Sequence, residues 1–530
     1  MIIAGAMAID LVIKGGTIID GTGADPYPAD LGVKDGTIAA IGNIDTSDAE
    51  TIDAKDLYVS PGFVDIHSHS DHTLLADPRA VSAVHQGVTL EVLGNCGHGY
   101  FPIRDPAQAK TAIYGCREGS PFAFSDAAGY FDHLEKAKLA VNALSLVPNA
   151  QLRFATVGMR SGPATARELG EMRSLLQESL EQGAWGFSTG LEYAWESGTT
   201  EEEVSELCRV VAEADGIYAT HTRRRDEAAL EGVEEALRTA ERSGVRLQIS
   251  HLVPRTGLRG MRDCVEAVEA TLSRGVDVRF DMHTRLFGIT YLHVALPPRA
   301  MSAKPAALAE MLASASARAD MKSYPSLLSA GGTDWSRIVL FDNDIWPRYA
   351  RRDIASIADE RGQEPLDAVY DLLLKTADDT RRLMVILHAY NEEQQREIFT
   401  HPLCMPGSDA TTLAPNGPLS DSFFHGAYTW ASWFYRFMVN ETRLMTPAEA
   451  VHRLTGLPAD TLGLRDRGVL KEGAHADIAI FDGPRFTDTG TTFEPNQLAH
   501  GMVHVLVNGA VTLRDGELTG ERAGQVLRHP

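Results

Sequence analysis

The chain has 530 residues, 44% of them hydrophobic and 23% charged, the balance of an ordinary globular protein. That length is large for one compact core, so one large domain with appendages, or two to three domains, is expected. A net charge of −23 excludes nucleic acid or an anionic membrane as the main partner.

The first eight residues are apolar but lack a basic leading segment, and Asp10 follows soon after. They read as a leader into a strand, not a signal peptide. Residues 11–16 and 31–38 have strand chemistry with glycine turns, and the same texture returns at 476–482 and 503–509. These ends, 1–60 and 465–530, predict a small β-sandwich domain assembled from both termini.

The middle, 61–464, alternates strands with helical stretches. Residues 201–214 carry helical periodicity, with Thr199 or Thr200 as N-cap and Gly216 past the end; 217–221 follows as a strand. Residues 226–243 are helical up to Gly244, then 247–251 is a strand; 263–274 is helical, then 276–281 is a strand. Such alternation implies an α/β fold with a parallel sheet and right-handed crossovers. Strands ending near His69, Asn95, Val147, Thr189, His221, His251, Asp281 and Ser408 predict a (β/α)8 TIM-like barrel with its catalytic groups at the carboxyl ends. A doubly wound open sheet is the rival. Before the last strand the chain must hold an insertion, about 285–366, plus helices; 354–376 is rich in helix formers. No apolar run reaches the ~18 residues of a membrane span. Five widely spaced cysteines argue against a disulfide scaffold and for a reducing cytoplasm.

The chemistry concentrates at those strand ends. In Gly62-Phe63-Val64-Asp65-Ile66-His67-Ser68-His69 the two histidines end an apolar run. On a strand they point the same way and form half of a metal site. Cys96, His221, His251 and Asp409 offer further donors at other strand ends, which barrel closure would bring over one mouth. Cys96 reads as a nucleophile, a buried structural thiol or a metal ligand, and its neighbours favour the ligand. Asp409 reads as a helix N-cap or as the carboxylate that takes a proton from water beside a metal; its place at the eighth strand end favours the second.

These residues resemble the amidohydrolase superfamily, and within it the N-acyl-D-amino-acid deacylase (D-aminoacylase) family. The resemblance rests on Pro61 to His69, Gly94-Asn95-Cys96-Gly97, Ser188-Thr189-Gly190-Leu191-Glu192-Tyr193, Tyr218-Ala219-Thr220-His221, Ile249-Ser250-His251 and Pro406-Gly407-Ser408-Asp409, and it covers nearly the whole chain in order. It implies a zinc-dependent hydrolase that cleaves the amide bond of a small N-acylated amino acid or N-acyl amine. One or two zinc ions would be held by Cys96, His221 and His251, with His67 and His69 completing a second site and Asp409 as catalytic base and acid. Asp65 and Asp71 are candidates to orient the metal-binding imidazoles.

The chain departs from the family where the substrate carboxylate is held. Basic and tyrosine side chains expected after His251, after the seventh strand and after Asp409 are replaced by Leu252-Val253-Pro254, Met282-His283-Thr284 and Phe423-Phe424-His425. Either Arg285 or Arg223 substitutes, or the substrate lacks that carboxylate or carries an aromatic group. On the latter reading the same metal centre would act on a cyclic amide or imide, a lactone, or by decarboxylation. Tyr193 matches the family and reads either as a substrate-binding residue or as a core tyrosine. Phe424 belongs to an aromatic-rich segment, 423–435, that either lines a substrate site or packs a helix. His98 and His388 read as solvated or hydrogen-bonded residues, not catalysts.

Overall fold

A computed structural model describes residues 9–45, 49–116, 120, 122–328 and 334–530. The predicted leader, residues 1–8, lies outside the described residues. The chain opens with β1 (Leu11–Ile18), β2 (Tyr27–Lys34), β3 (Thr37–Gly42), β4 (Glu50–Asp53) and β5 (Tyr58–Pro61). Parallel strands follow. β6 (Phe63–Asp65), β7 (Val88–Leu93) and β8 (Asn142–Ser145) form one sheet of three. The chain then passes through Leu146 into β9 (Val147–Pro148), the edge of a second parallel sheet that continues through β10 (Gly186–Gly190), β11 (Ile217–His221), β12 (Arg246–Ile249) and β13 (Val278–His283).

An insertion follows with its own antiparallel sheet: β14 (Phe287–Tyr291), β15 (Ile338–Leu340) and β16 (Met384–His388), in the order β14-β16-β15. It extends past the expected end near 366. A separate apolar core that includes Leu296, Leu340, Ile354, Tyr370 and Val385 fills it. The helix-rich stretch divides into Ile354–Arg361 and Pro365–Leu374, because Gly362 at φ 62° ends the first helix. β17 (Cys404–Gly407) then returns beside β13.

The parallel strands are buried almost throughout, as strands covered by helices on the outside must be. The helix Glu201–Glu213 starts where Thr200 and Glu203 cap each other reciprocally, and Gly244 at φ 74° stops Ala229–Ser243. Among the described residues the strands stand as sheets of three and six instead of the single predicted ring of eight, because the short β6 and β9 each form a ladder on one side alone, with β7 and with β10. The sheets meet at Leu146 on one side. On the other, one parallel bridge joins Ser68 to Ala410, and the Asp409 amide donates to the His67 carbonyl at 2.8 Å.

The C-terminal β18 (Ile478–Phe481), β19 (Met502–Val507), β20 (Ala510–Arg514) and β21 (Glu517–Leu518) join β1–β5 in one nine-stranded sheet. A sandwich was expected. Instead β1 turns a corner at a bulge between Ile13 and Gly16, so its first half pairs with β4 and its second with β5. The last residues leave this sheet and bond to β8 through the Ala143 amide and carbonyl. Among the described residues no helix is long and apolar enough to cross a membrane.

Candidate metal centre and active site

The carboxyl ends of the parallel strands carry the site. β11 ends on His221, while His67, His251 and Asp409 each lie two residues beyond β6, β12 and β17. Cys96 sits in the tight turn Asn95–Gly97 after β7. Gly94 enters that turn at φ 75°, and a Cβ there would strike the Leu146 carbonyl. Cys96, His251 and Asp409 all adopt left-handed backbone, at φ 53°, 37° and 42°. Each costs roughly 1–2 kcal/mol for a residue with a Cβ. Such strain converging on one point is characteristic of functional sites.

Cys96 Sγ lies 3.2 Å from His67 Nε2 and 3.5 Å from His251 Nε2. Asp409 Oδ1 lies 3.2 Å from His69 Nε2 and 3.6 Å from His67 Nε2. Three sets bring their donor atoms within 4.8 Å of one another: His67, His69 and Cys96; Cys96, His221 and His251; His67, His251 and Asp409. Asp281 Oδ1 accepts from His67 Nδ1 at 3.0 Å, and the His251 amide and Gln248 side chain fix Asp281 in turn. This bond sets the tautomer that turns the His67 Nε2 lone pair towards Cys96. Glu192 Oε2 does the same for His221 Nε2 at 2.9 Å and is itself paired with Arg255.

The Nδ1 atom of His221, whose Nε2 is taken by Glu192, is buried with no hydrogen-bond partner. A buried nitrogen left so is costly unless a cation takes its lone pair. A thiol, imidazoles and a carboxylate in one space fit a borderline divalent ion such as zinc. Burial pushes the Asp409 carboxyl up, but His69, His67 and Arg285 outweigh it and hold it well below the carboxylate range. Burial pushes the Cys96 thiol up against the pull of His67; a metal at Sγ would deprotonate it. A cavity of about 60 Å³ opens over Asp409, and a cleft of about 600 Å³ beside the insertion shares Tyr114 and Phe424 with it.

The profile of the amidohydrolase family matches residues 50–345 and 348–513. D-aminoacylase of Alcaligenes xylosoxydans xylosoxydans is 31% identical over 523 residues, 98% of this chain and 97% of that one. The chain belongs to the amidohydrolase family, in its D-aminoacylase branch. N-acyl-D-aspartate deacylase of the same organism is 33% identical to this amidohydrolase, with 98% and 95% of the two chains covered. Among solved structures, N-acyl-D-glutamate deacylase of Bordetella bronchiseptica, complexed with zinc and a phosphonate mimic of the tetrahedral intermediate, superposes at a TM-score of 0.79. It is 31% identical, with 98% of this chain and 100% of that one covered.

The structure of this amidohydrolase brings His67, His69, Cys96, His221, His251 and Asp409 together. Tyr193 walls the cavity 4.9 Å from the His221 ring and stacks on Trp195; Phe424 walls it too, in a cluster with Ile289 and Met384 of the insertion. Arg223 is placed elsewhere. It holds Glu235 and the carbonyls of Ser197 and Thr199, bracing a loop. Arg285 is buried behind Asp409, bonded to its Oδ2 at 3.0 Å and to the Ser408 and Asp409 carbonyls. Most of the aromatic segment packs the helix His425–Tyr435 into the core. His98 is buried against the Cys96 carbonyl, and His388 is exposed. Asp65 accepts the His67 and Ser408 amides, and Asp71 Oδ1 is buried without a partner, so among the described residues no bond from either to an imidazole is seen. Asp281 and Glu192 make such bonds, and the sequence signal for both was a carboxylate at or just past a strand end.

Asp281→Asn is therefore expected to lower metal affinity about 10- to 100-fold by releasing the His67 tautomer. Competition with a chromophoric chelator measures it; unchanged affinity would make Asp281 a packing residue. A second expectation concerns pH. Burial pushes Glu196 up to about 7, against its bonds to Asn149 and the Gly190 amide. The folded state then keeps a proton that the unfolded chain releases near 4.5. Stability is full below that pH and is lost as pH rises through 7, by about 3 kcal/mol in all. Glu196→Gln should flatten the fall of Tm between pH 5 and 8, and a wild-type slope would count against it.

Proposed function

We propose that this chain is a zinc-dependent hydrolase of a small N-acylated amino acid or N-acyl amine, with Asp409 as general base and then acid. The observation that carries this reading is Asp409 Oδ1 poised at His67 and His69, beside the Cys96, His221 and His251 donors, under a cavity. Cys96, His221 and His251 would hold one ion, and His67 and His69 a second. Bound zinc would polarise the acyl carbonyl and acidify a water. Asp409 Oδ1 takes the proton of the attacking water and delivers it to the leaving nitrogen. Arg285 holds Asp409 Oδ2, so Oδ1, which faces His67 and His69, is the oxygen left for that transfer. Tyr193 and Phe424 wall the substrate and exclude water.

The two parallel sheets read best as a (β/α)8 barrel spanning 61–464 around the insertion, flanked by the terminal β domain. Unpaired, buried cysteines support a reducing compartment such as the cytoplasm. The test is amine release by the zinc-loaded protein from N-acyl-D-amino acids, their L-enantiomers and aryl amides without a carboxylate. D-selective release is expected; preference for the aryl amides would narrow the substrate to an N-acyl amine, and no release from any of the three by the zinc-loaded protein would overturn the reading.

A further inference from the structure

Arginines crowd the rim of the site, and nearly all are spent. Arg223 pairs with Glu235, Arg224 with Asp226, Arg255 with Glu192 and Arg285 with Asp409. Arg225 differs. It is buried and lines the cavity over Asp409, yet among the described residues no carboxylate pairs with it. Its Nη2 donates to the carbonyls of His251 and Val253 and, at 2.7 Å, to the Tyr390 hydroxyl. Those bonds orient the guanidinium. Its Nε and Nη1 have no acceptor among the described residues and are not sealed from solvent. Tyr390, whose ring lies 5.1 Å from that of His283, lines the same cavity.

An uncompensated buried cation is expensive, and a guanidinium with donors in a fork is shaped for a carboxylate. We propose that Arg225, steadied by Tyr390, binds the carboxylate of an N-acyl amino acid substrate, and so sets specificity for an acidic over a neutral ligand. This rests on the hydrolase reading above. Arg225 would take the part that Arg223 and Arg285 cannot, since both are committed to protein carboxylates.

The test uses zinc-loaded protein and ligands inert to amide hydrolysis: N-methanesulfonyl-D-leucine and its carboxamide, titrated calorimetrically. Wild-type protein is expected to bind the carboxylate roughly 10- to 100-fold more tightly than the carboxamide, the worth of a charge-assisted hydrogen bond. Arg225→Met should erase that preference by weakening the carboxylate far more than the carboxamide, and Arg225→Lys should keep part of it. Wild-type protein that binds both ligands equally, or neither, overturns the proposal, and so does a preference that survives in Arg225→Met. Should Arg225→Met fail to fold, Arg225→Lys and Tyr390→Phe decide: a wild-type preference weakened by either supports the proposal, and one untouched by both overturns it. Amine release from N-acetyl-D-leucine is followed in parallel. Carboxylate preference without release would leave Arg225 standing and remove the hydrolase reading; release without preference would do the reverse.

Discussion

Asp409→Asn is expected to keep bound metal and to lose turnover by roughly 10²- to 10⁴-fold, the usual contribution of a general acid–base group. The substitution is nearly isosteric. It preserves a carbonyl oxygen that can accept from Arg285, and it leaves untouched the Cys96, His221 and His251 donor set, which does not include Asp409. What it removes is the site for a proton. The carboxylate is held ionised by His69, His67 and Arg285 against the effect of burial, so it is ready to accept at neutral pH. An amide cannot accept and return that proton, so the loss should fall on kcat. Metal content by mass spectrometry and kcat on the same preparation separate the outcomes. Full activity in Asp409→Asn would remove the carboxylate from the reaction, and metal lost in step with activity would make it a ligand first.

The donor positions were legible because a strand end is a fixed address. His67, His221, His251 and Asp409 each follow a short apolar run, and parallel strands put such positions on one side of the molecule. The helix Glu201–Glu213 was legible from its capping residues, which act locally. Contacts made across the fold were not. Nothing near His67 in sequence reveals that Asp281 orients it, because the bond spans 214 positions. Neighbouring arginines 223, 224 and 225 look interchangeable in a string, yet two point to protein carboxylates and one to the cavity. Arg285, offered with Arg223 as a substitute carboxylate clamp, lies at the site, but its guanidinium is used up by Asp409 and the Ser408 carbonyl. The sheet of the insertion pairs β14 with β16 across about 95 positions, so the segment 366–388 gave no local sign that it belonged there.

Cys96→Ala should lower metal affinity by more than the about 10- to 100-fold typical of losing an outer hydrogen-bond partner. Cys96 stands in two of the three candidate donor sets, and its Sγ is the one soft atom between His67 and His251. Alanine leaves the imidazoles of His67 and His251 without a thiolate neighbour on that side. The backbone strain at φ 53° is the same for cysteine and alanine, so the fold should tolerate the change. Cys208→Ala is the control, since that thiol is buried in the helix Glu201–Glu213. Turnover of Cys96→Ala should follow its metal content and recover in part as free metal is raised, whereas Cys208→Ala should match wild type in both. If Cys96→Ala instead holds wild-type metal through dialysis against a chelator, Cys96 is a packing residue in the small cluster it shares with Tyr193 and Trp195, and the metal must rest on imidazoles and Asp409 alone.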